Sequence, residues 1–154
     1  MTRWTVTFEG LPERLSDVRR FTVKALGDAR GVDDVVLVVS ELAANAIRHS
    51  ASGAPDGSFT LNLAAFSDHW HIRVDDQGSS KTPRVLPADE QQDDEAGRGL
   101  PLVVAVARAW GVLGDTVGRT VWADIPFPET DRAPEIPEGD VVGVRGEPDL
   151  SVVV

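Results

Sequence analysis

A chain of 154 residues is long enough for one domain with a sizeable core and too short for two comfortable ones. It has no cysteine, which excludes disulfides, thiolate metal sites and a cysteine nucleophile, and it is 42% hydrophobic and 26% charged, like an ordinary globular protein. The formal net charge of -10 argues against nonspecific binding to nucleic acid or anionic lipid, because phosphate contacts need lysine and arginine in excess.

Trp4, Val6 and Phe8 alternate with Thr5, Thr7 and Glu9, as in a half-buried strand. These first residues lack the apolar block of a signal peptide. No apolar run reaches the roughly 18–20 residues of a membrane span, so a cytoplasmic location is expected. Pro12 opens a helix that runs to about Leu26, with Arg14, Arg19 and Arg20 outward. After Gly27–Gly31 a second helix starts with Asp33 and Asp34 in its first turn, where acids suit the helix dipole. Its Val35–Val39 run is apolar on every side, so this helix is central and buried. Phe59, Leu61, Leu63 and Ala65 alternate in one strand and Trp70, Ile72 and Val74 in the next, joined by a Ser67-Asp68 turn.

Residues 79–96 are polar, acidic and proline-bearing, which predicts a long mobile loop. A third helix is predicted over about Arg98–Trp110, and a final hairpin ends in Thr120–Ile125. From Pro126 to Val154 there are seven acids, two arginines and five of the ten prolines, the composition of a tail with little fixed structure. The expected organisation is a folded domain over 1–126 and an acidic, Pro-rich tail over 127–154. Antiparallel neighbours interleaved with helices predict an α+β, two-layer α/β sandwich.

Four places carry candidate chemistry. Glu41 and Asn45 lie at i and i+4 of the second helix and share a face. A carboxylate can take a proton, and an amide oxygen can ligate magnesium without adding charge; the plainer alternative is two polar residues on a wet face. Asp76 follows Trp70, Ile72 and Val74 in phase, so period-two counting turns it inward, where an exocyclic amine would satisfy it. Asp76-Gln77-Gly78 reads equally as a solvated turn. Gly97-Arg98-Gly99-Leu100 opens the third helix, where backbone N–H groups and the dipole favour phosphate, although most such pairs are only turns. Arg119-Thr120 enters the last strand, with a hydroxyl to offer a base or simply a good strand former.

The order of these features resembles the ATP-binding domain shared by gyrase-type ATPases, Hsp90 and histidine kinases, over nearly all of residues 1–126. Leu37-Val38-Val39-Ser40-Glu41-Leu42 and Thr120-Val121-Trp122-Ala123 look most like the stand-alone bacterial anti-sigma-factor serine/threonine kinases. The resemblance implies a mixed, mainly antiparallel sheet with helices on one face. It makes Glu41 a general base, Asn45 a magnesium ligand, Asp76 the reader of the adenine amine and Gly78 the residue that lets the base approach. Gly97, Arg98, Gly99 and Leu100 would cradle phosphates beneath a lid at about 79–96, and Thr120 would lie by the base. His49 is expected to be a helix-end structural residue.

The implied ligands are ATP or ADP with magnesium. The implied partners are an anti-sigma-factor antagonist, phosphorylated on serine or threonine, and a sigma factor, with no direct nucleic acid or membrane contact. Arg14, Arg19 and Arg20 are a candidate docking surface, and relatives often dimerise through their sheets, for which Trp4 or Trp70 would serve. Two departures stand out. The family's second glycine after the adenine-binding acid is Ser80, and the lid carries Asp89, Glu90, Asp93, Asp94 and Glu95. They point to the alternative of an ATP-responsive protein-binding module without kinase activity.

Overall fold

The computed structural model describes residues 2–79, 99–128 and 150–153. The chain runs β1 (Arg3–Glu9), α1 (Arg14–Leu26), α2 (Val32–His49), a short 3-10 turn (Ala51–Gly53), β2 (Ser58–Ala65) and β3 (His69–Asp76). It continues with α3 (Gly99–Val106), β4 (Ala109–Gly114), β5 (Arg119–Pro126) and β6 (Leu150–Val153). The strands form one sheet in the order β4-β5-β3-β2-β1-β6, and every neighbouring pair is antiparallel. This is the expected two-layer α+β arrangement, with a sheet that is wholly antiparallel among the described strands.

Alternation in sequence becomes two faces in space. Val6, Phe8, Phe59, Leu61, Leu63, Ile72, Val74, Val121, Ala123 and Ile125 are buried on the inner face, beneath the helices. Val35, Val38, Val39, Leu42, Ala43 and Ala46 of α2 complete that core, and α1 adds Val18 and Leu26. A side chain such as Leu42, 1% exposed, contributes about 1.5–3 kcal/mol by leaving water. Thr22 is the polar exception on α1, and its hydroxyl is satisfied by donating to the Val18 carbonyl at 2.9 Å. The α1–α2 connection is pinned to the sheet by Trp70, whose indole Nε1 donates to the Arg30 carbonyl at 2.8 Å.

Three expectations need correction or restriction. Trp110 belongs to β4, not to the third helix: α3 stops at Val106, and Trp110 pairs with Ala123 across the sheet. A short apolar run such as 100–113 does not by itself separate helix from strand. Trp4 and Trp70 are 9% and 1% exposed within the core, so neither presents a surface for a second copy. Of the expected lid at 79–96, residues 80–96 lie outside the described residues, as do 129–149. Beyond them, Leu150–Val153 pairs with β1 in the register Arg3↔Val153 to Val6↔Leu150. No helix among the described residues is long and apolar enough to cross a membrane.

Candidate functional site

The C-terminal end of α2, the end of β3 and the β4–β5 turn converge on one region. α2 gives way to Ser50, whose hydroxyl donates to the Ala46 carbonyl at 2.6 Å and accepts from the Ser52 N–H at 3.1 Å, starting the 3-10 turn. That turn then grips the exit of β3. The Gln77 N–H donates to the buried Ser52 hydroxyl at 2.9 Å, and the Ala51 N–H donates to the Gly78 carbonyl at 2.9 Å. From the other side Asp115 organises the β4–β5 turn, accepting from the Val117 and Gly118 N–H groups at 2.8 and 3.2 Å. Those two backbone donors hold its carboxyl below the usual carboxylate range.

Asp76 sits between these supports on the inner face, as period-two counting requires, and its side chain is 0% exposed. Oδ1 accepts from the Gly78 N–H at 2.8 Å, and Oδ2 accepts from Arg119 Nε at 2.8 Å with Nη2 2.7 Å away. Arg119 is the cross-strand partner of Asp76 on β5, and its side chain is 3% exposed. A buried carboxylate is tolerable here because the guanidinium and a backbone amide satisfy it.

Gly78 has φ +89, and a Cβ added there would stand 2.3 Å from the Thr116 carbonyl oxygen. Its lack of a side chain therefore has a structural cause in the adjoining turn, before any ligand is considered.

Thr120 does not join this region. It alternates with Arg119 and so faces the opposite side of the sheet, where its hydroxyl donates to Asp75 Oδ1 at 2.6 Å. Thr120, expected to lie by the base, therefore stands on the opposite face of the sheet from Asp76. Arg119 is the residue that faces inward opposite Asp76, in phase with Val121, Ala123 and Ile125. That phase was available in the sequence.

Glu41 and Asn45 are half-buried on the last turns of α2. The Asn45 amide nitrogen is buried with no hydrogen-bond partner among the described residues, a state that proteins seldom leave unrelieved. Among the described residues no group of three or more histidine or carboxylate side chains is disposed to hold a metal. Magnesium, which usually takes few protein ligands and completes its shell with phosphate oxygens and water, fits a single amide better than a cation needing a full protein cage.

Gly99 opens α3, Leu100 is buried, and α3 packs against α2. Gly97 and Arg98 lie outside the described residues. On α1, Arg14 donates to Glu9 and Asp17 at 2.8 and 3.1 Å, and Arg20 donates to Asp17 at 3.1 Å. The candidate arginine surface thus carries its own counter-charges. His49 is the last residue of α2.

Comparison with known proteins bears on the fold. The sequence profile of the histidine kinase-like ATPase domain matches residues 8–125. The sensor protein PfeS of Pseudomonas aeruginosa is 35% identical over 81 residues, covering 50% of this chain and 18% of PfeS. The serine-protein kinase RsbW of Listeria monocytogenes serovar 1/2a is 26% identical over 113 residues, 64% of this chain and 71% of RsbW. RsbW of Listeria innocua is 27% identical over the same span, with the same coverage.

Proposed function

The chain belongs to the histidine kinase-like ATPase domain family, and from that membership we propose that it is an ATP-dependent protein serine/threonine kinase of the anti-sigma-factor type. It would phosphorylate a small antagonist protein and bind a sigma factor or similar regulator. The observation that carries this reading is the buried Asn45 amide nitrogen one helical turn beyond Glu41, a donor with no partner among the described residues and so suited to a phosphate oxygen, which leaves the amide oxygen for a cation. An unsatisfied donor on the same helix face as a carboxylate, on the helix whose C-terminal end leads into the turn that grips the exit of β3, supports a ligand site there.

In this reading Asp76 receives the adenine amine, and the start of α3 faces the phosphates with its backbone N–H groups. Asn45 would hold magnesium, which when bound neutralises phosphate charge. Glu41 takes the proton from an incoming serine hydroxyl. The hydroxyl oxygen forms a bond to the γ-phosphorus as the bond to the β–γ bridging oxygen breaks, and ADP leaves with that electron pair. Positioning and charge stabilisation dominate such transfers, so the protein needs little else.

The test is incubation with ATP labelled on the γ-phosphate, magnesium and the candidate antagonist. Label is expected on a serine or threonine of the antagonist. It should be absent with Glu41→Ala, even though calorimetry still detects nucleotide binding by that variant. A wild type that binds neither ATP nor ADP sinks the reading.

The seating of Arg119 on Asp76 favours a second reading, an ATP-responsive binding module without phosphoryl transfer. In the same assay it would give nucleotide binding and partner binding with no label transferred.

A further inference from the structure

Asp76 is largely taken up as an acceptor. A carboxylate oxygen has two lone-pair directions, and Oδ2 already faces two nitrogens of Arg119 at 2.8 and 2.7 Å. Oδ1 holds the Gly78 N–H at 2.8 Å, and the whole side chain is 0% exposed. Arg119 does not reach in from a loop. It is fixed directly across from Asp76 in the β5–β3 register, so the pair is part of the sheet itself.

We infer that Arg119 governs base recognition at this site: its guanidinium occupies Asp76 Oδ2, so a purine amine binds there by an exchange of donors on that oxygen. The inference rests on the nucleotide-binding reading above and adds the residue that sets its affinity and selectivity.

The chemistry makes the exchange unequal. A charge-assisted guanidinium bond is stronger than one from a neutral amine, so the wild type holds its own acid against the incoming base. The same guanidinium is a donor for a purine that presents a carbonyl in place of the amine. Wild-type selection between amino and keto purines is therefore shallow. Without the guanidinium, the bare carboxylate accepts an amine and opposes a carbonyl oxygen, and selection becomes steep.

The experiment is calorimetric titration of ATP and inosine triphosphate, each with magnesium, into wild type, Asp76→Ala, Arg119→Met and Arg119→Gln, with circular dichroism to confirm folding. Methionine keeps the apolar stem and removes every donor. Glutamine keeps one neutral donor on the carboxylate, so the buried acid stays satisfied if the methionine variant fails to fold. ATP affinity is expected to rise about tenfold in Arg119→Met and by less in Arg119→Gln, while affinity for inosine triphosphate stays flat or falls.

Four results would overturn the inference. If wild type binds ATP, Asp76→Ala loses it and the Arg119 variants bind no more tightly, the inference falls and the nucleotide reading stands. Equal tightening for both nucleotides would mean general loosening of the site, and the inference falls in the same way. Weaker ATP binding in both Arg119 variants would make the guanidinium a partner of the base, again against the inference. No binding of either nucleotide by any of the proteins removes both.

Discussion

Asp75 and Asp76 are consecutive residues of β3, yet the pleat places them in different solvents. Asp76 faces the helices, wholly covered and bound to a single guanidinium. Asp75 faces outward and takes part in a lateral chain across four strands. The Thr5 hydroxyl donates to Asn62 at 2.9 Å, Asn62 donates to Asp75 at 3.0 Å, and Thr120 and Arg73 donate to Asp75 at 2.6 and 2.8 Å. Identical side chains one residue apart therefore differ in how much depends on each. The inner acid has no water to fall back on if its partner leaves, whereas the outer acid has several neighbours and solvent.

That contrast is sharpest in stability. Arg119→Ala strands a buried carboxylate and should cost about 3–5 kcal/mol by urea unfolding. A loss as small as that of a surface pair would erase the distinction between the two faces. Next, Ile72→Ala on the inner face should cost about 2–5 kcal/mol, while Arg73→Ala beside it on the outer face should stay within about 1 kcal/mol, read from the same urea curves. Gly78→Ala forces a side chain onto the Thr116 carbonyl at φ +89 and should cost more than about 1 kcal/mol.

The smallest effect belongs to Asp68 on the outer side. The Arg108 guanidinium, and then His69, hold its carboxyl down from 3.8 to about 2. Because the folded value is depressed, this contribution is present above pH 3.8 and is lost as pH falls through about 2. The stability difference between wild type and Asp68→Asn should shrink across that window and stay level above it. A difference that grows on acidification would contradict the Arg108 contact.

Much of this contrast was legible in the residues, because period two is strict. Counting from Trp70 through Ile72 and Val74 put Asp76 inside, and the apolar Val35–Val39 run marked α2 as the central helix. The same counting applied to Val121, Ala123 and Ile125 places Arg119 inside and Thr120 outside. There the family resemblance pointed to Thr120, and the local phase decides for Arg119. The assignment of Trp110 failed for another reason, since an apolar stretch pairs equally well with a helix neighbour or a sheet edge until its partner strand is known. Nor could four residues, Leu150–Val153, reveal that their partner is β1, because strand pairing at that separation leaves no local signature. The reason Gly78 must be glycine was hidden as well. It lies in the backbone of a turn nearly forty residues downstream.

The clamp around Asp76 also has a bearing on how the chain acquires its native state. Its contacts span 25 residues from Ser52 to Gln77 and 43 residues from Asp76 to Arg119, so each closes a long loop before its enthalpy is returned. Helical order in α1 and α2 needs only neighbours. In stopped-flow refolding the far-ultraviolet helical signal should therefore precede recovery of the proposed nucleotide binding, with the candidate site among the last parts of the molecule to be born.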